Sequence, residues 1–370
     1  MARHHVAFTV CGALLSALMV VALGACGGGG GGGASAAVST GVSAGAASGA
    51  SASSAASDSG ASSSPAAASA PAASSTPSNG ATANVLRLST AVQNQTVAKD
   101  AAASGMLASV GVAGVYMAAA KPFLTAVLAG APATTANCAK GGTVATVVSN
   151  AGAPGVRAGE TASVSFSQCV GQIAAPELSS ADALGGNVSF AVQSVQGSVG
   201  SRTANWSYSA TETANALAID SSSGSTTFNG TVTFTVAYDA ATATMTTTAS
   251  APNLTIERTQ TSASGTSLDG TISIGSLTWT DVDNVATTTE TLNASCAVSD
   301  VVAGVTLAFD VTTPVSLTIA NGAIGAGTQQ LSTADTTESI VAQNAATFAI
   351  TVTSQGLTGV WTQSASSLAS

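Results

Sequence analysis

The sequence predicts a mainly β protein: a large antiparallel β-meander, forming a curved sheet, half-barrel or sandwich, with a short N-terminal helical segment packed on or in it. Three observations predict it. Only 7% of the 370 residues are charged and 4% are aromatic, and the apolar 45% is dominated by Ala and Val. Ser, Thr and Gly fill much of the rest, a profile that suits extended strands with hydroxyl-rich solvent faces better than a helical bundle. From Thr143 onward the apolar period is two. "TVTFTVAY" (231–238) sets Val232, Phe234, Val236 and Tyr238 on one face and threonines on the other, and "ASVSFS" (162–167) and "NWSYS" (205–209) repeat the pattern. One apolar and one hydroxylated face indicate an antiparallel sheet. Finally, "LGGNVSF" (184–190), "FNGTVTF" (228–234) and "LDGTISI" (268–274) resemble one another and start 44 and 40 residues apart. Each period is long enough for two strands, out and back. Asn229-Gly230 and Asp269-Gly270 read as hairpin turns, because both tolerate positive φ.

The chain opens with Arg3, His4 and His5 and then runs apolar from Val6 to Leu23. Such a run, at roughly 18 residues, is long enough to reach across a bilayer. A cleaved signal over residues 1–25 is the better reading, because small residues follow at once. Leu23-Gly24-Ala25-Cys26 resembles the lipobox of bacterial lipoproteins. The resemblance implies cleavage before Cys26, lipidation of that thiol, and a membrane partner reached through the acyl chains. In such proteins an Asp after the cysteine retains the protein at the inner membrane. Gly27 stands there instead, which implies the outer membrane, on a face the sequence does not specify. Two or more acyl chains, at about 0.8 kcal/mol per buried methylene, make a stable anchor.

Residues 26–84 contain little but Gly, Ala, Ser and Thr, with Pro65, Pro71, Pro77 and one charge, Asp58. Nothing there can bury enough apolar area to offset ordering the chain. The segment reads as a flexible tether with an r.m.s. reach of about 40 Å. "SSSPAAASAPAASS" (62–75) also resembles tracts that some bacteria O-glycosylate, although an unmodified linker is the simpler reading.

Residues 85–130 lack strand alternation. They are rich in Ala and carry Leu86, Leu88, Val92, Val97, Met106, Leu107, Val110, Val115 and Met117. These apolar residues are not confined to a stripe, so the segment should be largely buried as a helix. Lys121-Pro122 predicts a break, with Pro122 opening a second short helix and Gly130 ending it. The β-domain then occupies residues 131–370, and residues 85–370 form one globular unit.

Cys138, Cys169 and Cys296 remain once the signal and Cys26 are set aside. An oxidising envelope favours a bridge. Cys138 and Cys169 flank two strand-like stretches joined by "NAGAPGVRAGE" (150–160), and bridging them would contribute roughly 3.5 kcal/mol by loop-closure entropy. Cys296 is either buried and free or the true partner of one of the others.

Around these cysteines the chain resembles a group of uncharacterised proteobacterial lipoproteins. The matching features are Cys138-Ala-Lys-Gly-Gly142, Ala158-Gly159-Glu160, "SFSQC" ending at Cys169, and Leu184-Gly-Gly186. In that group the loop before the Ala-Gly-acid turn is rich in Asp and suited to calcium. Here it is "SNAGAPG" (149–155), without a carboxylate, so the resemblance implies neither metal nor activity.

Much chemistry is absent from the sequence. The two histidines, His4 and His5, lie in the signal. The remainder therefore has no Ser-His-Asp triad, no Cys-His pair and no histidine metal site. No phosphate-binding loop or dinucleotide fingerprint is present. A net charge of −9 offers nucleic acid no basic surface. The remaining candidate is Asp281, Asp283 and Asn284, after Trp279. Two acids two apart share a strand face and could contribute to a Ca²⁺ site, but a full site needs six or more oxygens. A solvated turn is the stronger expectation. Two distant carboxylates could in principle cleave a glycosidic bond, yet three Trp and three Tyr offer few platforms for sugars. No cofactor and no catalytic residue is expected. The expected function is therefore that of a lipid-anchored, non-catalytic structural or interaction protein. The alternative is a carrier of lipid or another apolar ligand, resembling in architecture the periplasmic carriers in which a curved sheet cups a helix.

Overall fold

Fourteen strands pair antiparallel in the order in which they occur along the chain, without a crossover. The computed structural model describes residues 84–149, 154–171, 181–222, 224–260, 269–287, 289–320 and 323–365. The predicted signal, Cys26 and the tether as far as residue 83 lie outside these residues; Asn84, its last residue, belongs to a strand. Strand β1 is Asn84–Val85. The meander comprises β2 (Ala133–Asn137), β3 (Thr143–Val148), β4 (Thr161–Val170), β5 (Ala183–Gln196), β6 (Trp206–Ser221), β7 (Gly224–Asp239), β8 (Thr244–Gln260), β9 (Gly270–Asn284) and β10 (Thr289–Val302). It continues through β11 (Val305–Ala320), β12 (Ala323–Ser332), β13 (Thr336–Asn344), β14 (Thr347–Ser354) and β15 (Leu357–Ser364). The sheet is open, with β2 and β15 at its edges, while β1 adds a short parallel pairing to β11.

The three similar segments fall on β5, in the middle of β7, and at the start of β9 (from Asp269, Leu268 lying outside the described residues), and each strand is followed by its antiparallel return strand. Asn229-Gly230 is not a hairpin turn. It lies inside β7, where the register to β6 slips between Ala214 and Leu217. The Asn229 side chain accepts a hydrogen bond from the Ala216 amide at 2.8 Å, so the pair marks a bulge. The extra residues in β4, β6 and β9 are Gln168, Ala216 and Ser276, all with positive φ. Gly186 shows why glycine is used beside them. A Cβ there would come within 1.9 Å of the Ala216 carbonyl oxygen. Bulges bend strands and increase their twist, so this series across the sheet gives it curvature.

The helical segment falls within the predicted residues 85–130 but is continuous where a break was expected. A 3₁₀ turn at Leu88–Val92 leads to α1 (Gln95–Met106), a π-helical turn (Leu107–Gly111) and α2 (Val112–Ala129). Asn94 caps α1, accepting from the Thr96 and Val97 amides. Gly130 ends α2 in the left-handed region, with φ 68°. Pro122 neither breaks nor starts a helix; it lies inside α2. An internal proline costs about 3 kcal/mol. Here the flanking Ala118, Ala119, Ala120, Phe123 and Leu124 are all buried, and that packing holds the helix through it.

By length and composition the 35-residue run Gln95–Ala129 could cross a membrane. In this fold it packs on the apolar face of the sheet. Its length of about 52 Å matches the width of roughly ten strands. The 3₁₀ turn meets β14 and β15, α1 meets β12–β14, the π turn meets β9 and β10, and α2 meets β3, β4 and β6. Helix and sheet share one continuous core. Phe123 stacks on Phe190 with ring centroids 4.8 Å apart, and both are almost wholly buried. Phe123→Ala should therefore destabilise the fold by about 3–5 kcal/mol in urea titration. Thr125→Ala, on the exposed side of the same helix turn, should stay within about 0.5 kcal/mol.

Candidate functional site

Each sequence-predicted site residue has a definite place where the structure describes it. Cys138 and Cys169 form a disulfide with Cα atoms 5.3 Å apart, tying the residue after β2 to the end of β4. Cys296 is free and buried on β10. Burial, with Asp310 nearby, pushes its thiol up to about 12, so it stays protonated and unreactive.

Asp281 and Asp283 do not form a solvated turn. Both lie in β9 on its inner, apolar-facing side, at 3% and 2% exposure. The turn begins only at Val285. Asn284 falls on the other face, where its side chain caps that turn through the Ala286 and Thr287 amides. The third oxygen ligand foreseen in the sequence is thus turned away from the two acids. Register supplies a different neighbour: Glu290 of β10 stands opposite Asp283, and Thr247 of β8 stands opposite Asp281. Trp279 precedes Asp281 by one pleat on the same face. The resulting patch is buried and poorly satisfied. Both Asp281 carboxyl oxygens, one Glu290 oxygen, the Thr247 hydroxyl and the Trp279 Nε1 have no hydrogen-bond partner.

The electrostatics follow from that burial. Desolvation first, then the Glu290 and Asp283 carboxyls, hold Asp281 well above the usual carboxylate range. Burial pushes Glu290 up to about 7, with Asp281 opposing and Asp283 reinforcing the shift. Neither Asp281 oxygen meets a donor in good geometry, yet the two carboxyls are close enough to titrate as a pair, one neutral while the other ionises. Among the described residues, no group of three or more His, Cys, Asp and Glu side chains is arranged to hold a metal ion.

Two further acids face the core alone. Glu212 of β6 is fully buried with both oxygens unpartnered, and desolvation raises its pKa well above normal. It also raises Tyr116 and Tyr208, after burial itself. Glu338 of β13 is likewise buried and unpartnered, pushed by burial up to about 9. Asp300 is handled differently. It accepts from Arg258 at 2.6 Å and from Ser104 of α1 at 2.5 Å, joining helix to sheet. Period-two reading could place these acids in strands. Which of them adjoin depends on strand register, which the sequence does not display.

The inner face therefore offers proton-holding carboxyls within an apolar wall, chemistry suited to neutral acids rather than to an exposed catalytic pair. No protein family, curated protein or solved structure matches this chain.

The raised carboxyls fix the sign of a pH dependence. Unfolded Glu titrates near 4.5, so between that value and the folded value the native state binds more protons than the unfolded state. Their stabilisation is complete at acid pH and is lost as pH rises, through about 7 for Glu290 and about 9 for Glu338. Urea titrations across this window should show stability falling with pH. Glu338→Gln, which cannot ionise, should lose less over the upper part, by on the order of a few kcal/mol.

Proposed function

We propose that this protein is a lipid-anchored lipoprotein of the bacterial envelope, held at the outer membrane, whose β-domain is a non-catalytic structural or interaction module. The observation that carries the reading is Leu23-Gly24-Ala25-Cys26, which closes an 18-residue apolar run and is followed by seven glycines. A thiol at the end of such a run is placed for acylation, and the Gly/Ala/Ser segment after it lets the folded domain stand away from the bilayer. The Cys138–Cys169 bridge supports an oxidising compartment. The mature chain under this reading contains no histidine, and Glu212, Asp281, Glu290 and Glu338 are buried among the strands rather than presented at the surface.

The apolar-ligand carrier is less well supported. A carrier needs space on the inner face of the sheet, and Tyr116, Phe123, Leu124 and Val127 of α2 pack there, each at most 5% exposed. The partner of the module is accordingly sought on its outer surface and edges.

In a bacterial host, the processed protein should fractionate with outer membranes and incorporate labelled palmitate. Cys26→Ser should abolish the label and release the chain to the soluble fraction, with unchanged far-UV circular dichroism. Retention of the Cys26→Ser chain in membranes would count against the anchor.

A further inference from the structure

The last strand of the sheet lacks several of the sequence features that usually blunt an edge. Among the described residues β15, Leu357–Ser364, has β14 as its one strand neighbour, through eight consecutive residue pairs and no register shift. An edge exposes a row of backbone N–H and C=O groups and is usually blunted by charge, proline, a bulge or shortness. β15 reads Leu-Thr-Gly-Val-Trp-Thr-Gln-Ser. It has no charge, no proline and no bulge, and eight residues exceed the commonest strand length. The opposite edge, β2, spans only five residues. Among the described residues six large apolar side chains are exposed, and three belong to the last three strands: Val341, Leu357 and Val360, with Val360 at 65%.

We propose that β15 is an interaction edge whose partner is β15 of a second copy of this chain, the two pairing antiparallel about a two-fold axis to make one continuous sheet. The sequence of the strand is self-complementary in this arrangement. An axis normal to the sheet sets one residue opposite its own copy, and directly opposed residues share a face. Centring on Val360 uses nearly the whole strand. It places Val360 against Val360 and Thr358 against Thr362, on the outer face where all three are exposed. β-Branched cross-strand pairs of this kind stabilise sheets. Charge favours the same partner. The chain carries −9 overall, but β14 and β15 have no charged residue, and Glu338 of β13 is buried. Two copies therefore meet here without the repulsion that other surfaces would impose. The pairing extends the structural reading above without depending on the acyl anchor.

The experiment uses the mature chain, residues 26–370, carrying Cys26→Ser and produced without residues 1–25, so that neither lipid nor the apolar run Val6–Leu23 gathers the molecules. Sedimentation velocity over a wide concentration range should show a monomer–dimer equilibrium. Adding Val360→Lys should leave only monomer, with unchanged circular dichroism, because it sets two ammonium groups face to face. Val147→Lys, at another exposed valine, should leave the dimer intact. Register is read separately by oxidation. Val360→Cys should link two copies, whereas Thr358→Cys should link only when mixed with Thr362→Cys. A chain that stays monomeric at every concentration, a dimer that survives Val360→Lys, or Thr358→Cys linking to itself as readily as Val360→Cys would each overturn the proposal.

Discussion

The fold depends on covering the apolar face of an open sheet. A closed barrel hides its inner face by geometry, but this sheet ends at β2 and β15 and does not close. One helical run passes across most of the strands and packs on that face. Its composition suits the task. Ala91, Ala98, Ala101, Ala102, Ala108 and Ala119 are fully buried, and small side chains allow the helix backbone to approach the strands closely. At Gly105 a Cβ would come within 2.6 Å of a Leu331 methyl, so that side chain packs directly on the glycine. The next turn is π-helical. There Gln329 of β12 donates to Ser109 at 2.6 Å and to the Gly105 carbonyl at 3.3 Å. Together with Ser104–Asp300 and Tyr116–Gly230, these bonds fix the helix along its axis, where alanine packing alone would permit sliding.

The burial of acids on the same face runs against the usual economy of a core. A neutral carboxyl without a partner is less costly than an ionised one, but it still forfeits hydrogen bonds to water. Glu212, Asp281 and Glu338 have both carboxyl oxygens without a partner, and burial raises the pKa of each. Asp300, by contrast, has a cationic partner, Arg258. Eight Lys and Arg serve seventeen Asp and Glu in the whole chain, so cations to neutralise the others are scarce. Protonation is the remaining route to a buried, uncharged side chain.

How much of this was legible depends on what interrupts the period of two. In β7, Val232, Phe234, Val236 and Tyr238 follow one another without a bulge, and the strand reads cleanly. In β6 the buried set runs through Ala210, Glu212 and Ala214, then jumps to Leu217 and Ile219. The extra residue, Ala216, shifts the parity, and nothing in an alanine announces it. Asn229-Gly230 carries a true signal for positive φ, but a bulge and a turn draw on the same residues, so the signal alone does not distinguish them. Pro122 marked a helix boundary by local chemistry, and tertiary packing overrode it. At the candidate site, the spacing of Asp281 and Asp283 correctly implied a shared face. Their neighbour Glu290 comes from the next strand, beyond the reach of local spacing.

The chain enters its sheet through a slight attachment. Asn84 and Val85 lie parallel to the start of β11, the Leu86 amide adds a bond of 2.9 Å to the Thr306 carbonyl, and the 3₁₀ turn follows. Tension applied to the preceding residues reaches this two-residue ladder before any strand of the meander. The ladder can peel away and re-form while β11 keeps both of its antiparallel neighbours, β10 and β12. The cohesion of β11 with its neighbours is thereby independent of the short pairing through which Asn84 and Val85 join the sheet.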